Sequence, residues 1–474
     1  MLFKQFSYKQ IIPFIISLAL FMEAVDTTIL NTAIPAMSRS LQVNPVDLKI
    51  ALISYLLSLA IFIPISGWIA DKFGIKRVFM CALIIFTLSS TWCGFARNLT
   101  ELVLARTLQG IGGSLMLPVG RLILVRTFLR HELITTMSRV IMVAAFGLML
   151  GPVLGGFITH YFSWHWIFWV NIPVGLFTLL MVWYWFENTA PKKMPPLDKL
   201  GFIFFGAGLA GLTFGLSALS ESTIPDWIAL LIFVSAIFSL GAYFLHSRKR
   251  PHPIVKTELF KSRTFRVSVF GNLTSRLGFG GVPFLLPLLL QIGLGFSAQL
   301  SGILLAPTAL GIVLIKPFIL PLLRFFGYKR LLILNTILVG FSLLLFEIVD
   351  INTSLYSIAC LTFLFGFLIS LQYSSMNSLA YADIANENLG AATSVMSTMQ
   401  QLAQSFGVAV SALLIRYFSP ASPSGFLLNT TVLHHTFIAM GVITFFSTFI
   451  FIQLKSEDGK QMTQRVLAES NLAP

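Results

Sequence analysis

GWIADKFGIKR at residues 67 to 77 and RFFGYKR at residues 324 to 330 place one string, F-G-x-K-R, twice in a very apolar chain. Each copy lies between two long hydrophobic runs. A short basic loop repeated in two apolar halves is the mark of a duplicated membrane bundle, an arrangement common among secondary transporters. The loop glycines, Gly74 and Gly327, are 253 positions apart. That is about fifty more than six membrane helices and their loops require, which leaves room for an inserted pair of helices between the halves.

The composition limits what else the chain can be. Of its 474 residues, 56% are hydrophobic and 11% charged, with mean hydropathy +0.86. Apolar runs near twenty residues, long enough to cross a bilayer core of about 30 Å as helices, recur from Ile11 to Gln453. Strand-like alternation is missing, which argues against a β-barrel. The first run, from about Ile11 to Ala33, is longer than a signal-peptide core and has no small-x-small pattern after it, so it is expected to remain as the first membrane helix. Cys81, Cys93 and Cys360 fall inside apolar runs and are odd in number, which points to packing rather than to disulfides or a metal site. No cofactor or metal is expected, and no nucleotide loop of the form G-x-x-x-x-G-K-[ST] is present. QGIGG at 109 to 113 has neither the strand nor the ribose-binding acid that a dinucleotide loop needs. His160 and His165 read as anchors at the membrane interface rather than as ligands.

Runs and breakers place helices at roughly 11–34, 50–70, 78–96, 101–120, 140–160, 165–186, 200–219, 227–245, 267–292, 298–323, 331–349, 355–380, 390–417 and 432–453. The expected fold is therefore all-α and membrane-integral, with about fourteen helices arranged as six, two and six. Residues 1–190 would form an N-terminal six-helix bundle, 191–266 the inserted pair with a basic loop, and 267–474 a C-terminal six-helix bundle. The net charge of +14 would suggest nucleic acid in a soluble protein, but here its placement matters more than its sum. With the N-terminus inside, 25 of the 32 Lys and Arg fall in inner loops and tails, against Arg39, Lys49, Arg97 and Arg416 outside. Both termini are thus expected in the cytoplasm, in a multi-pass inner-membrane protein without a nucleic-acid partner. The basic loop at 246–266 could also grip anionic lipid.

In the 67–77 loop, Gly67 is expected to permit close helix contact and Gly74 a tight turn. Asp71 could pair with Lys or Arg or face a helix N-terminus, making a breakable cytoplasmic latch beside Lys76 and Arg77. Arg324 stands in the second copy where Asp71 stands in the first, so the latch is expected to be asymmetric. Gly147, Gly151 and Gly155 recur every four residues and share a helix face, with Pro152 and Gly156 nearby. Such a face lets another helix approach closely, and the proline bends the segment.

Ionisable groups deep in a membrane are costly unless they face a cavity or a partner. Glu23 and Asp26, three residues apart, share a face near the middle of the first helix. Two carboxylates that close in low dielectric repel each other and lose hydration, so at least one is expected to bind and release a proton. Arg106 is placed to meet these acids. Arg276 lies near mid-depth of its helix, and Lys316 nearer the inner end of the next. These two cations have no acid in their helices and suggest a cavity that accepts anionic groups. Gln372, Tyr373, Asn377, Gln400, Gln401 and Gln404 could complete its polar lining, although polar interhelix bonds explain several of them equally well.

Several of these stretches resemble a known family. G-x-x-A-D-x-x-G-x-K-R from Gly67 to Arg77 resembles the loop between helices two and three of the major facilitator superfamily. LARTLQGIGGS (104–114), with Arg106, Gln109 and Gly110, is similar to its fourth-helix motif, and GLMLGPVLGG (147–156) to its fifth-helix antiporter motif. VDTTILNTAIP (25–35) and SWHWIFWVNIPVG (163–175) are similar to segments of the fourteen-helix drug:proton antiporters of the EmrB/QacA type, and RTFR through LQIGLGFS looks closest to the MdtD-like branch. The resemblance implies a non-enzymatic, proton-coupled exporter of small molecules that works by alternating access as a monomer. Asp26 would carry the coupling, assisted by Glu23 and Arg106, and the fifth-helix motif would seal against leak. Asn31 and Gln109 would join Arg276, Lys316, Gln372, Tyr373, Gln400 and Gln404 at the substrate. Export of an anionic metabolite or metal chelate, and uptake by symport, are the alternatives.

Overall fold

Long apolar runs with few charges have one way to satisfy their backbone in a bilayer, which is to hydrogen-bond within each segment as helix. The computed structural model describes residues 8–188, 194–220, 224–420 and 428–459. Lys4, Lys192, Lys193, Lys460 and Arg465, counted above among the basic positions, lie outside these residues, as does the expected junction at 190/191.

The described residues form α1 (Tyr8–Leu41), α2 (Lys49–Phe73), α3 (Ile75–Cys93), α4 (Leu99–Thr127), α5 (Arg130–Tyr161), α6 (Trp166–Trp169), α7 (Asn171–Trp185), α8 (Lys199–Ala218) and α9 (Asp226–Ser247). They continue with α10 (Arg263–Phe279), α11 (Val282–Leu288), α12 (Ala298–Leu314), α13 (Ile319–Leu344), α14 (Leu355–Ala380), α15 (Leu389–Phe418) and α16 (Thr430–Ile452). Several helices outrun the stretches read from hydropathy. Apolarity marks only the part that suits hydrocarbon, whereas α4 continues past the expected end at 120 through Arg121 and Arg126, and α5 starts ten residues before the expected 140.

Among the described residues, twelve helical stretches are long and apolar enough to cross a membrane. One of them, Ala298–Ile348, has 51 residues. At about 1.5 Å per residue it is more than twice the roughly 30 Å that one crossing needs. It is broken at Gly327, whose φ of 70° and ψ of 164° are not helical. The 30-residue α15 is not among the twelve.

The chain divides into two compact units, one of residues 1–199 with 296–303 and the other of residues 200–295 with 304–474. In the first, α1 packs along α5 and α7, α2 on α4, and α3 on α4 and α7. Its core joins Ile15, Ile16, Phe79, Phe86, Met116 and Val182, with Phe79 and Phe186 stacked at 5.9 Å. In the second, α10 packs on α14, α15 and α16, and α13 on α14 and α16. There α8 approaches α9 closely through Gly208, Gly211 and Gly215, where a Cβ would meet Leu240, Ala236 and Phe233. Arg416 of α15 donates to Asp226 at the start of α9 (3.1 Å), and so ties this pair to the second unit. Trp227, Leu230, Leu231, Ile237 and Phe238 leave one side of α9 exposed and apolar, as a surface that meets lipid should be.

Candidate functional site

The one-turn spacing of Glu23 and Asp26 puts both on one side of α1, but their surroundings differ. Asp26 is fully buried. Its Oδ2 accepts from Arg106 Nη1 of α4 at 2.5 Å, and its Oδ1 accepts from Gln109 Nε2 and Asn171 Nδ2, both at 2.9 Å. Arg106, also fully buried, donates to Gln109 Oε1 (2.7 Å) and lies over the Tyr55 ring of α2, 4.2 Å from its centroid. Asn171 at the head of α7 donates further to Ser90 Oγ of α3 (3.0 Å). One carboxylate thus joins α1, α4 and α7 in a charge-paired knot, and cation–π contact and the Ser90 bond extend it to α2 and α3. A buried ion pair survives only when it is this well supplied with hydrogen bonds. Arg106 Nε and Nη2 are nevertheless left without a protein partner.

Glu23 is partly buried and its carboxyl carries no hydrogen bond among the described residues. It lies beside the Gly113 backbone of α4, where an added Cβ would come within 3.7 Å of Oε1. Asn31, five residues beyond Asp26, is buried on α1 and makes no bond to the knot. Gln109 is part of the knot. Asn171 and Tyr55 were missed by sequence reasoning. Asn171 sits inside the quoted 163–175 stretch as a polar residue in an apolar run, which is the signal that could have found it; Tyr55 offers none.

Of the residues expected to form a latch, Gly74 makes a turn and Asp71 an ion pair. Gly74, with φ of 91°, turns the chain from α2 into α3 in a conformation that suits glycine. Asp71 accepts from Arg126 Nη2 of α4 at 2.5 Å. Lys76 Nζ donates to the Trp183 carbonyl (2.8 Å), and Lys72 lies over Trp68. Arg77 is exposed. The close helix contact expected at Gly67 is not found: Gly67 is exposed, and a Cβ there would meet nothing within 4 Å. In the second copy Gly327 repeats the positive φ, Arg324 is exposed, and Tyr328 rather than an acid is engaged, its hydroxyl 2.7 Å from Ser378 Oγ.

The glycine face of α5 packs on α1. A Cβ at Gly147 would meet the Phe21 carbonyl at 2.8 Å, one at Gly151 would strike Thr28, and one at Gly155 the Ile29 carbonyl and Thr32. Gly156 faces the other way, toward the Ala298 carbonyl and Gly302, and Pro152 lies inside α5. The small residues of 147–155 therefore bring α5 against the helix that bears Glu23 and Asp26.

In the second unit, Arg276 of α10 lies 4.1 Å from the centroid of the Tyr373 ring and donates from Nη1 to Gln404 Oε1 (3.1 Å) and the Gln400 carbonyl (3.3 Å). Gln400 Nε2 donates to Asn377 Oδ1 (2.6 Å), and Gln404 Nε2 to the Gly280 carbonyl. Lys316, in the turn between α12 and α13, donates to Ser374 Oγ at 2.9 Å. Gln372 does not belong to this group. It is fully buried and bonds Asn335 (2.8 Å) and Thr336 (2.9 Å) of α13, because its place on α14 turns it to the neighbouring helix. No group of three or more potential metal ligands occurs among the described residues.

The sequence profile of the Major Facilitator Superfamily matches residues 16–247 and 268–472. A protein of Pectobacterium atrosepticum named as multidrug resistance protein MdtD is 34% identical over 452 residues, covering 95% of this chain and 96% of its own. A Haemophilus influenzae protein named as transport protein HsrA is 36% identical over 457 residues, covering 95% and 97%. Among solved structures, an auto-inhibited POT family peptide transporter superposes with TM-score 0.70 at 15% identity, covering 95% of this chain and 98% of its own. A D-xylose–proton symporter superposes with TM-score 0.67 at 15% identity, covering 96% and 100%. At such identity these two structures speak to the fold alone.

Proposed function

Since the chain belongs to the major facilitator superfamily, and is therefore a multi-pass membrane transport protein rather than an enzyme, we propose that it exports small molecules in exchange for protons, as a multidrug-type efflux carrier. The names of its relatives support this cargo. The observation that carries the coupling is the difference between two neighbouring carboxyls on α1. Asp26 holds three donors and compensates Arg106, so protonating it would strand a buried guanidinium. Glu23 has no such duty. In this reading, which exchanges the roles expected of the two acids from sequence, Glu23 takes up and releases the proton, Asp26 and Arg106 are fixed charges beside it, and the α5 glycine face keeps α1 tightly backed.

The rest of the arrangement follows the family's logic. Fourteen helices run as six, two and six, with bundles at 1–190 and 267–474 and an inserted pair at 191–266. Both termini face the cytoplasm of an inner membrane, the basic 246–266 loop lies against anionic lipid, and the protein works as a monomer. Alternating access arises from movement of the bundles about a mid-membrane site, and the Asp71–Arg126 pair is the latch that yields during the cycle. The test is reconstitution. In proteoliposomes, an imposed proton gradient should drive accumulation of rhodamine 6G, and collapsing the gradient should stop it. Accumulation that ignores the gradient would rule out proton exchange.

A further inference from the structure

We propose that the second unit carries a binding site for an organic anion, built by Arg276 and Lys316, which contact the successive α14 residues Tyr373 and Ser374. The inference rests on the efflux reading and names a substrate class for it. Its starting point is a contrast in how the chain treats two intramembrane arginines. Arg106 is matched by Asp26 at 2.5 Å. Arg276 has only neutral partners: the Gln404 amide oxygen, the Gln400 carbonyl and the face of Tyr373. Both arginines leave Nε buried without an acceptor, so the contrast is the acid that Arg106 has and Arg276 lacks.

The second cation is close in the chain's own terms. Arg276 covers Tyr373, and Lys316 Nζ is held by the very next residue, Ser374, at 2.9 Å. Neither cation has a carboxylate partner among the described residues. Two positive charges kept in an apolar span without an acid are expensive, and such groups mark substrate or ion pathways. The surrounding amides are committed in a way that leaves the positive charge unanswered. Gln404 spends its Nε2 on the Gly280 carbonyl and Gln400 its Nε2 on Asn377, so the groups turned to Arg276 are oxygens that orient it without neutralising it. Arg276 is only partly buried and Lys316 is exposed. An organic anion that presents carboxylate or sulfonate oxygens to these cations would gain charge-assisted hydrogen bonds and offset the cost of leaving them without an acid. A purely structural role would explain the tie between α10 and α15, but not the Lys316 placement beside it.

Two dyes sharing a xanthene core and differing in charge separate the possibilities: anionic carboxyfluorescein and cationic rhodamine 6G, each presented to the full-length chain in proteoliposomes with an imposed proton gradient. Wild type should transport carboxyfluorescein saturably. Arg276→Gln and Lys316→Gln should each raise its KM by roughly tenfold or more, the worth of one charged hydrogen bond, and by more than they raise that for rhodamine 6G. Arg276→Lys, which keeps the charge, should recover part of the loss. Because Lys316 is exposed, its variant keeps the test open should Arg276→Gln fail to fold. Transport of rhodamine 6G without carboxyfluorescein overturns the anion site and leaves efflux standing. Equal effects of the glutamine variants on both dyes also overturn it, reducing the pair to a structural tie. Failure of wild type to move either dye defeats the efflux reading and this inference together.

Discussion

Asp26 and Glu23 are alike in chemistry and three residues apart, yet removing the charge from each should have opposite kinds of consequence. Asp26→Asn leaves Arg106 charged, fully buried and without its counter-ion, a defect worth about 3–5 kcal/mol. It should lower the thermal stability of the purified protein markedly, with loss of transport following from that. Glu23→Gln disturbs no hydrogen bond and should unfold at the wild-type temperature while proton-driven export is lost. Equal stability of the two variants would mean that the ion pair is not what organises the first unit. The sequence motif singles out Asp26, and the pair of carboxylates was legible from spacing. The difference in their surroundings was not, because Gln109 and Asn171 lie 83 and 145 positions away along the chain from the carboxylate to which they donate.

At the scale of helices, the glycines separate into those that touch and those that do not. Gly155 faces the Ile29 backbone carbonyl, which cannot turn aside as a side chain could. Gly155→Val should therefore force α5 from α1 and cost about 1–3 kcal/mol by overpacking, read as a lower unfolding temperature in detergent, whereas Gly67→Val, with open space around it, should show no comparable loss. A wild-type melting curve for Gly155→Val would contradict the packing. The four-residue spacing announced a contact face on α5 but not its partner, since periodicity gives a direction around one helix and says nothing of its neighbour. The same limit explains Gln372, grouped by sequence with the cavity lining and found bonded to α13. Asp71 was legible as an acid that pairs with Lys or Arg, while its partner Arg126 sits at the far end of α4. Asp71→Asn should cut turnover severely with expression retained, measured as initial rate per reconstituted protein, and unchanged turnover would leave the loop with only a topological role.

For the whole molecule, apolar length carried most of the fold, because each crossing satisfies its own backbone and needs little from its neighbours to be recognised. Gly74 and Gly327, both at positive φ in the repeated loop, tie the duplication seen in sequence to a shared turn. What apolarity could not mark was where helices end, since polar turns such as that bearing Arg126 stay helical outside hydrocarbon. The charge bias predicts that a cysteine replacing Lys256, in a background lacking Cys81, Cys93 and Cys360, is labelled from the cytoplasmic side only. Labelling from outside intact cells would invert the proposed topology. The central claim, proton exchange at Glu23, is tested most directly by proton release from purified protein in weakly buffered solution near neutral pH when saturating rhodamine 6G is added. Wild type should release protons and Glu23→Gln should bind the dye without releasing them; release from Glu23→Gln at the wild-type stoichiometry would contradict the account.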